Sequence, residues 1–253
     1  MAILKRIRMA AKRLSGCRTS VTASPENYPK DFRPGEIGIL EAVRSYTMTS
    51  RERIVTLVRA TDFIVRNHLP GAFVECGVWK GGSMRAVALA LLERDIQDRD
   101  LYLFDTFAGM SEPTQHDRKL NETTLAREKW EQTARDGHNE WCYAPLESVR
   151  DAVCSTGYPA NRVHLIKGKV EDTLPCEYPD SIALLRVDVD WYEATAHVLQ
   201  NLYPRLIQGG VFIHDDYNTW AGAQQATDEY FANTNSRIFL SRVDGSCVMG
   251  VKP

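Results

Sequence analysis

Five short apolar runs, "GAFVECG", "DLYLFDTF", "RVHLIKG", "IALLRVD" and "GGVFIHDD", alternate with helix-like stretches through most of this 253-residue chain. Between them lie a helix from about Ser83 to Arg94, a polar helical region around 121–136, a helix near 145–156 and one through "EATAHVLQNLYPRL". Such alternation predicts a parallel sheet flanked by helices, because parallel neighbours need a long crossover between them. The chain finishes differently. "SRIFLSRV", then Asp244-Gly245, then "SCVMGVK" predicts two antiparallel strands joined by a tight turn, since Asp-Gly favours hairpins.

Upstream, residues about 21–37 hold three prolines and predict an irregular lead-in. A helix follows in "TSRERIVTLVRATDFIVRNHL", with Ile54, Leu57, Val58, Thr61, Phe63, Ile64 and Val65 near helical spacing. Thr49 or Ser50 supplies its N-cap, and Pro70-Gly71 ends it. We therefore expect an N-terminal arm over 1–50 and a main domain over 51–253. The basic opening "MAILKRIRMAAKRLSGCR" lacks the apolar centre of a signal peptide and reads as a solvated or subunit-contacting arm. A net charge of −2 gives no global field for nucleic acid. No run approaches the roughly 18 apolar residues of a membrane span. Six scattered cysteines without a CxxC pair suit a reducing cytoplasm.

The turn in "FVECGVWKGGSM" places Gly77, Gly81 and Gly82 between an apolar run and a helix opening at Ser83. Its G-x-x-x-G-G spacing is neither the dinucleotide fingerprint nor a P-loop. Glu75 in that turn would repel phosphate but accept a hydrogen bond from an ammonium group. Asp105, thirty positions on, closes the second strand, where an acid accepts both hydroxyls of a ribose. A cation, a ribose and no required phosphate describe S-adenosylmethionine.

Asp188 and Asp190 share one face of a strand end, and Asp215 and Asp216 follow another apolar run. Carboxyl ends of parallel strands share one edge, so all four acids should meet in one crevice. They would repel unless a cation sat among them, and an all-oxygen set favours Mg²⁺, with Ca²⁺ or Mn²⁺ also suited. The alternative is that some of them cap helices or face solvent.

Taken in order, "VECGVWKGGS", "LYLFDTFAGM", "KGKVEDTLP", "LLRVDVDWYEAT" and "IHDDY" resemble a class I methyltransferase, and more narrowly the macrocin O-methyltransferase family of natural-product sugar methyltransferases. The resemblance implies a Rossmann-like α/β fold whose mostly parallel seven-stranded sheet ends in an antiparallel hairpin. It implies a cofactor site along Glu75, Cys76, Gly77, Gly81, Gly82, Ser83, Asp105, Thr106 and Phe107, with Gly168, Val170, Glu171 and Asp172 bordering the adenine and Asp188 adjoining the cofactor. By the same resemblance Asp188, Asp215 and Asp216 are metal ligands, Asp190 is the general base, and the N-terminal region covers a glycoside or nucleotide-sugar substrate in a homo-oligomer.

Rival readings stand beside this one. His214 adjoins the metal pair, and His116, His138 and His197 are further candidate bases. Metal-dependent catechol methyltransferases resemble this chain but place a lysine where Asp190-Trp191-Tyr192 stands. Trp191, Tyr192, Tyr217 and Trp220 fit either a sugar-stacking surface or the core. A non-catalytic nucleotide-binding protein on the same fold is the remaining alternative.

Overall fold

The computed structural model describes residues 28–120, 126–174, 179–234 and 236–253. Helices α1 (Pro34–Val43) and α2 (Arg51–Arg66) precede strand β1 (Ala72–Cys76), and α3 (Gly82–Leu92) leads to β2 (Leu101–Asp105). Then come α4 (Ala126–Thr133), β3 (Ala134–Arg135), β4 (His138–Asn139), α5 (Leu146–Cys154), β5 (Val163–Lys167) and α6 (Val170–Thr173). Strand β6 (Ile182–Val187), α7 (Tyr192–Leu202), β7 (Leu206–His214), α8 (Ala221–Asn233), β8 (Ser241–Arg242) and β9 (Val248–Val251) complete the chain.

The main sheet has seven strands in the order β5-β2-β1-β6-β7-β9-β8. Strands β5, β2, β1, β6 and β7 are parallel, and β9 runs antiparallel to both β7 and β8. The two-residue period of a strand explains its two cores. Phe73, Leu103 and Leu184 face a cluster with Leu57, Ile64, Met84 and Leu91 from α2 and α3. Their neighbours Val74, Phe104 and Leu185 face the other side, against Val198, Leu199 and Leu202 of α7.

Several boundaries differ from the sequence expectation. Contacts divide the chain into one unit over Met1–Phe32 and another over Arg33–Pro253. The irregular lead-in expected to about residue 37 gives way to helix at Pro34, whose fixed φ opens α1. Within the first unit, Phe32 N–H bonds Pro29 O at 3.0 Å; the basic arm over 1–18 lies outside the described residues. Ser50 is the N-cap of α2 and accepts from Arg53 N–H at 3.2 Å. Phe63, counted among its apolar positions, is 40% exposed, because Ile64 and Leu57 take the core-facing stripe.

The polar helix expected around 121–136 is described only over Ala126–Thr133, and its end is a small hairpin. There Asp136-Gly137, with Gly137 at φ 77°, makes the two-residue connection between β3 and β4. Asp244-Gly245 does not form such a turn. Its strands close over residues 243–247, and Asp244 accepts from the N–H groups of Ser246 and Cys247. Helix α8 had no counterpart in the sequence reading.

Helix α1 is tied down by Glu36, which is buried and bonds Arg59 of α2 at 2.8 Å and Arg33 Nε at 2.8 Å. Burial alone would push this carboxyl up, but the hydrogen bonds from Arg59 and Arg33 hold it down to about 2. A depressed folded value means the stabilisation is complete above the ordinary 4.5 and is lost as pH falls towards 2. In thermal unfolding followed by circular dichroism, Glu36→Gln should melt below the parent at pH 7, and the gap should close between about pH 5 and pH 2. A gap independent of pH would refute this.

Candidate active site

Gly77 directly follows β1, and Asp188 directly follows β6 beside it. Gly77 has φ 84°, and a Cβ there would lie 1.8 Å from the Asp188 carbonyl oxygen. Only glycine lets the two turns touch, and Asp188 N–H bonds Cys76 O at 2.8 Å across the contact. The sheet order runs outwards on either side of β1 and β6, so the crevice opens where open α/β sheets bind ligands. Gly82 has a similar role. A Cβ on it would stand 2.5 Å from Tyr46 O, so its absence lets the Tyr46–Thr49 loop close over the start of α3.

Two adjoining cavities occupy the crevice. One, of about 210 Å³, is lined by Thr49, Arg53, Ser83, Asp215 and Asp216 among others. The second, of about 70 Å³, is bordered by Thr106, Gly168, Val170, Glu171 and Ala194. Gly77, Asp105, Asp188 and Asp190 line both. Asp188, Asp215 and Asp216 each offer one oxygen, all within 4.8 Å of one another. Oδ2 of Asp216 is buried and has no hydrogen-bond partner among the described residues. Three hard oxygen donors with one left unsatisfied fit a divalent cation of the Mg²⁺ type.

The acids are not left to a metal alone. Arg186, a wholly buried strand residue, reaches three of them: Nη1 donates to Glu75 Oε1 and Asp188 Oδ2, both at 2.6 Å, and Nη2 to Asp215 Oδ1 at 2.5 Å. Arg53 of α2 donates to Asp215 Oδ2 at 2.5 Å and to Asp244 Oδ2 at 2.7 Å. Four carboxylates (Glu75, Asp188, Asp215, Asp244) thus pair with two guanidiniums, and Asp190 and Asp216 line the same crevice with no guanidinium partner among the described residues. The surplus negative charge leaves room for further cationic charge. Burial drives Asp190 and Asp216 well above the usual carboxylate range, and the neighbouring acids push the same way. Asp190 also carries an unusual backbone, with φ 61°, at the centre of its turn.

The sequence matches the family described as Macrocin-O-methyltransferase (TylF) over residues 17–252. The chain belongs to the macrocin O-methyltransferase family. It is accordingly an S-adenosylmethionine-dependent O-methyltransferase. It is 31% identical over 200 residues to demethyldecarbamoylnovobiocin O-methyltransferase of Streptomyces niveus, covering 79% of this chain and 73% of that one. Similarity to the mycinamicin III 3''-O-methyltransferase of Micromonospora griseorubida is 30% over 188 residues, 74% of this chain and 70% of the relative. The solved O-methyltransferase NovP superposes with a TM-score of 0.71 at 29% identity, covering 82% of each chain. The calicheamicin methyltransferase CalS11, at 19% identity and TM-score 0.55 over 91% of this chain and 94% of its own, shares the fold.

Within this macrocin O-methyltransferase fold, some expected cofactor residues do not reach the crevice. Glu75 and Cys76 lie beneath it, in the buried strand, and line neither cavity. Glu75 Oε1 accepts from Arg186 Nη1 at 2.6 Å, while its Oε2 has no hydrogen-bond partner among the described residues. Gly81, Phe107 and Asp172 also lack a wall in either cavity. Gly81 packs on Val149 and Val153, and Phe107 turns into the core. Asp105 faces the crevice, but its oxygens already accept from the N–H groups of Val78, Trp79 and Phe107 at 2.6, 3.1 and 2.7 Å, with Thr106 Oγ1 at 3.4 Å. As it stands, it shapes the turn. To hold a ribose it must share or exchange those bonds.

The histidine alternative lacks access. His214 is fully buried, its Nδ1 lies 2.9 Å from Thr227 Oγ1, and burial lowers it to about 4, so it is neutral at pH 7. Trp191 and Trp220 belong to the core, forming an edge-on cluster with Trp141 at centroid separations of 5.0–6.0 Å. Tyr192 and Tyr217 bond Glu229 and Asp228 on the surface and line neither cavity.

Arg53, Arg186 and Cys142 line the site without having been expected there from the sequence, as does Thr49, read only as a candidate N-cap. Arg186 did leave a signal: a lone charge inside "IALLRVD", a run otherwise built for burial, demands partners.

Proposed function

We propose that this O-methyltransferase acts on a sugar hydroxyl of a glycosylated natural product or nucleotide sugar, with a divalent cation of the Mg²⁺ type held by Asp188, Asp215 and Asp216. The observation that carries this reading is the meeting of those three acids with Asp190 along one wall of the crevice. The relatives named for their acceptors methylate glycosylated antibiotics, which supports the same class.

The donor supplies an electrophilic methyl on sulfur, and a bound divalent cation lowers the pKa of a hydroxyl beside it. Asp190 is the proton acceptor. It borders both cavities, so it can meet an acceptor hydroxyl at the boundary between donor and acceptor. As the acceptor oxygen bonds the methyl carbon, the carbon–sulfur bond breaks and the hydroxyl proton passes to Asp190. The Gly77 turn and the Gly168–Glu171 segment border the donor's space, and the Tyr46–Thr49 loop narrows the entrance. Holding both reactants in line supplies much of the rate. Asp190 stands where the lysine of the catechol enzymes was looked for, which favours an alcohol acceptor.

A panel of deoxysugar nucleotides, glycosylated natural products and catechols, assayed with S-adenosylmethionine, tests the reading. Methylation of a sugar hydroxyl is expected, reduced at least about tenfold by EDTA and restored by Mg²⁺. Methylation confined to catechols, or indifference to EDTA, would overturn it.

A further inference from the structure

We propose that Asp117, far upstream of Asp190 in sequence, is the positioning residue that holds Asp190 in its reactive turn; this rests on the reading of Asp190 as the base. Helix α7 begins at Tyr192, immediately after Asp190-Trp191, and the amide groups of its first turn need acceptors. Trp191 is the N-cap residue and has no side-chain oxygen to offer. Asp117 supplies it from 75 positions away: its Oδ1 accepts from Tyr192 N–H at 2.8 Å. Its Oδ2 accepts from Thr114 N–H at 2.7 Å and Thr114 Oγ1 at 2.9 Å.

Asp117 is 0% exposed, and among the described residues no lysine, arginine or histidine pairs with it. A buried carboxylate without a cation is costly, so its retention asks for a reason. The backbone gives one. Trp191 N–H bonds Val189 O at 2.6 Å, which closes a three-residue turn with Asp190 at its centre and φ 61°. Turns of this hand are rare and strained and persist only where their surroundings fix them. Two tethers do so here, Asp117 on Tyr192 and Ser111 O, which accepts from Trp191 Nε1 at 3.0 Å. The fold also makes space for the carboxylate, since a Cβ on Gly222 would stand 2.5 Å from Asp117 Oδ1. The same segment grips the second acid turn: Ala221 N–H bonds Arg118 O, and Leu120 N–H bonds Thr219 O, each at 2.9 Å.

The test is a double-mutant cycle on the full chain, read by methyl transfer to the glycoside accepted in the panel, by S-adenosylhomocysteine affinity and by thermal melting. Asp117→Ala should lower kcat by about 10–100-fold, the scale of a misplaced reacting group, while S-adenosylhomocysteine binds within about twofold of the parent. Asp117→Asn keeps an oxygen for Tyr192 N–H and should recover part of the loss; it carries the test if the alanine variant does not fold. Placed on Asp190→Asn, either change should cost no more than about a further twofold, because nothing is left to position. Unchanged kcat in both Asp117 variants, or full additivity with Asp190→Asn, would overturn the proposal. An active Asp190→Asn enzyme would instead remove the base assignment beneath it.

Discussion

Asp190→Asn should lower kcat by about 10²–10⁴-fold, the usual scale for loss of a general base. The substitution is close to isosteric, and asparagine tolerates the positive φ that residue 190 adopts, so the turn should survive. It also replaces a carboxyl whose ionisation burial and the neighbouring acids oppose with a group that cannot ionise. Folding should therefore be unharmed and melting unchanged or slightly raised. S-adenosylhomocysteine affinity by calorimetry should stay within about threefold, which separates a chemical defect from a binding one. Full turnover would take the base role away from Asp190.

The largest effect on stability is expected at Arg186. Its guanidinium is wholly buried and bridges Glu75, Asp188 and Asp215, three carboxylates that no other single group reaches. Burial pushes Glu75 up, and Arg186 is the main influence holding it down. In Arg186→Met Glu75 remains buried with no cation and Asp215 keeps only Arg53, a loss of about 3–5 kcal/mol. For a chain of this size that is a fall in Tm of roughly 6–20 °C. The sign with pH follows from the same charges. Burial raises Glu75 and Asp215, and Arg186 opposes it, so without Arg186 their folded pKa values lie further above the unfolded ones and protonation relieves the variant. The deficit should be greatest near pH 8 and shrink as pH falls towards 5. Arg186→Lys should rescue only part, since an ammonium lacks the planar fork that spans several carboxylates. A calorimetric Tm within about 2 °C of the parent at pH 8 would show that the acids are neutralised by other means.

These two residues show what kind of information each level holds. Asp190 was legible because a parallel sheet gathers strand ends at one edge, the rule that also located Asp188, Asp215 and Asp216. The strand alternation expected of Asp188 and Asp190 is not what joins them: β6 ends at Val187, and Asp190 reaches the crevice from a turn at φ 61°. The glycine turn was legible too, although its reason was not: Gly77 is required by a carbonyl more than a hundred positions away. The partner of Glu75 was not legible for a related cause. In sequence it borders the glycine turn, but Arg186 stands opposite it on the neighbouring strand and donates to its Oε1.

The alternation of apolar runs, the antiparallel end and the acids at strand tips are set by local periodicity, so the chain alone determined the architecture and the acidic edge of its crevice. Tertiary structure decided how that edge is kept stable and shaped. Arg53 meets Asp215 from 162 positions away, Asp117 meets Tyr192 from 75, and Asp105 spends its oxygens on the glycine turn. Hydrogen bonds and charge pairs act over a few ångströms whatever the separation along the chain, and only folding brings such partners within reach.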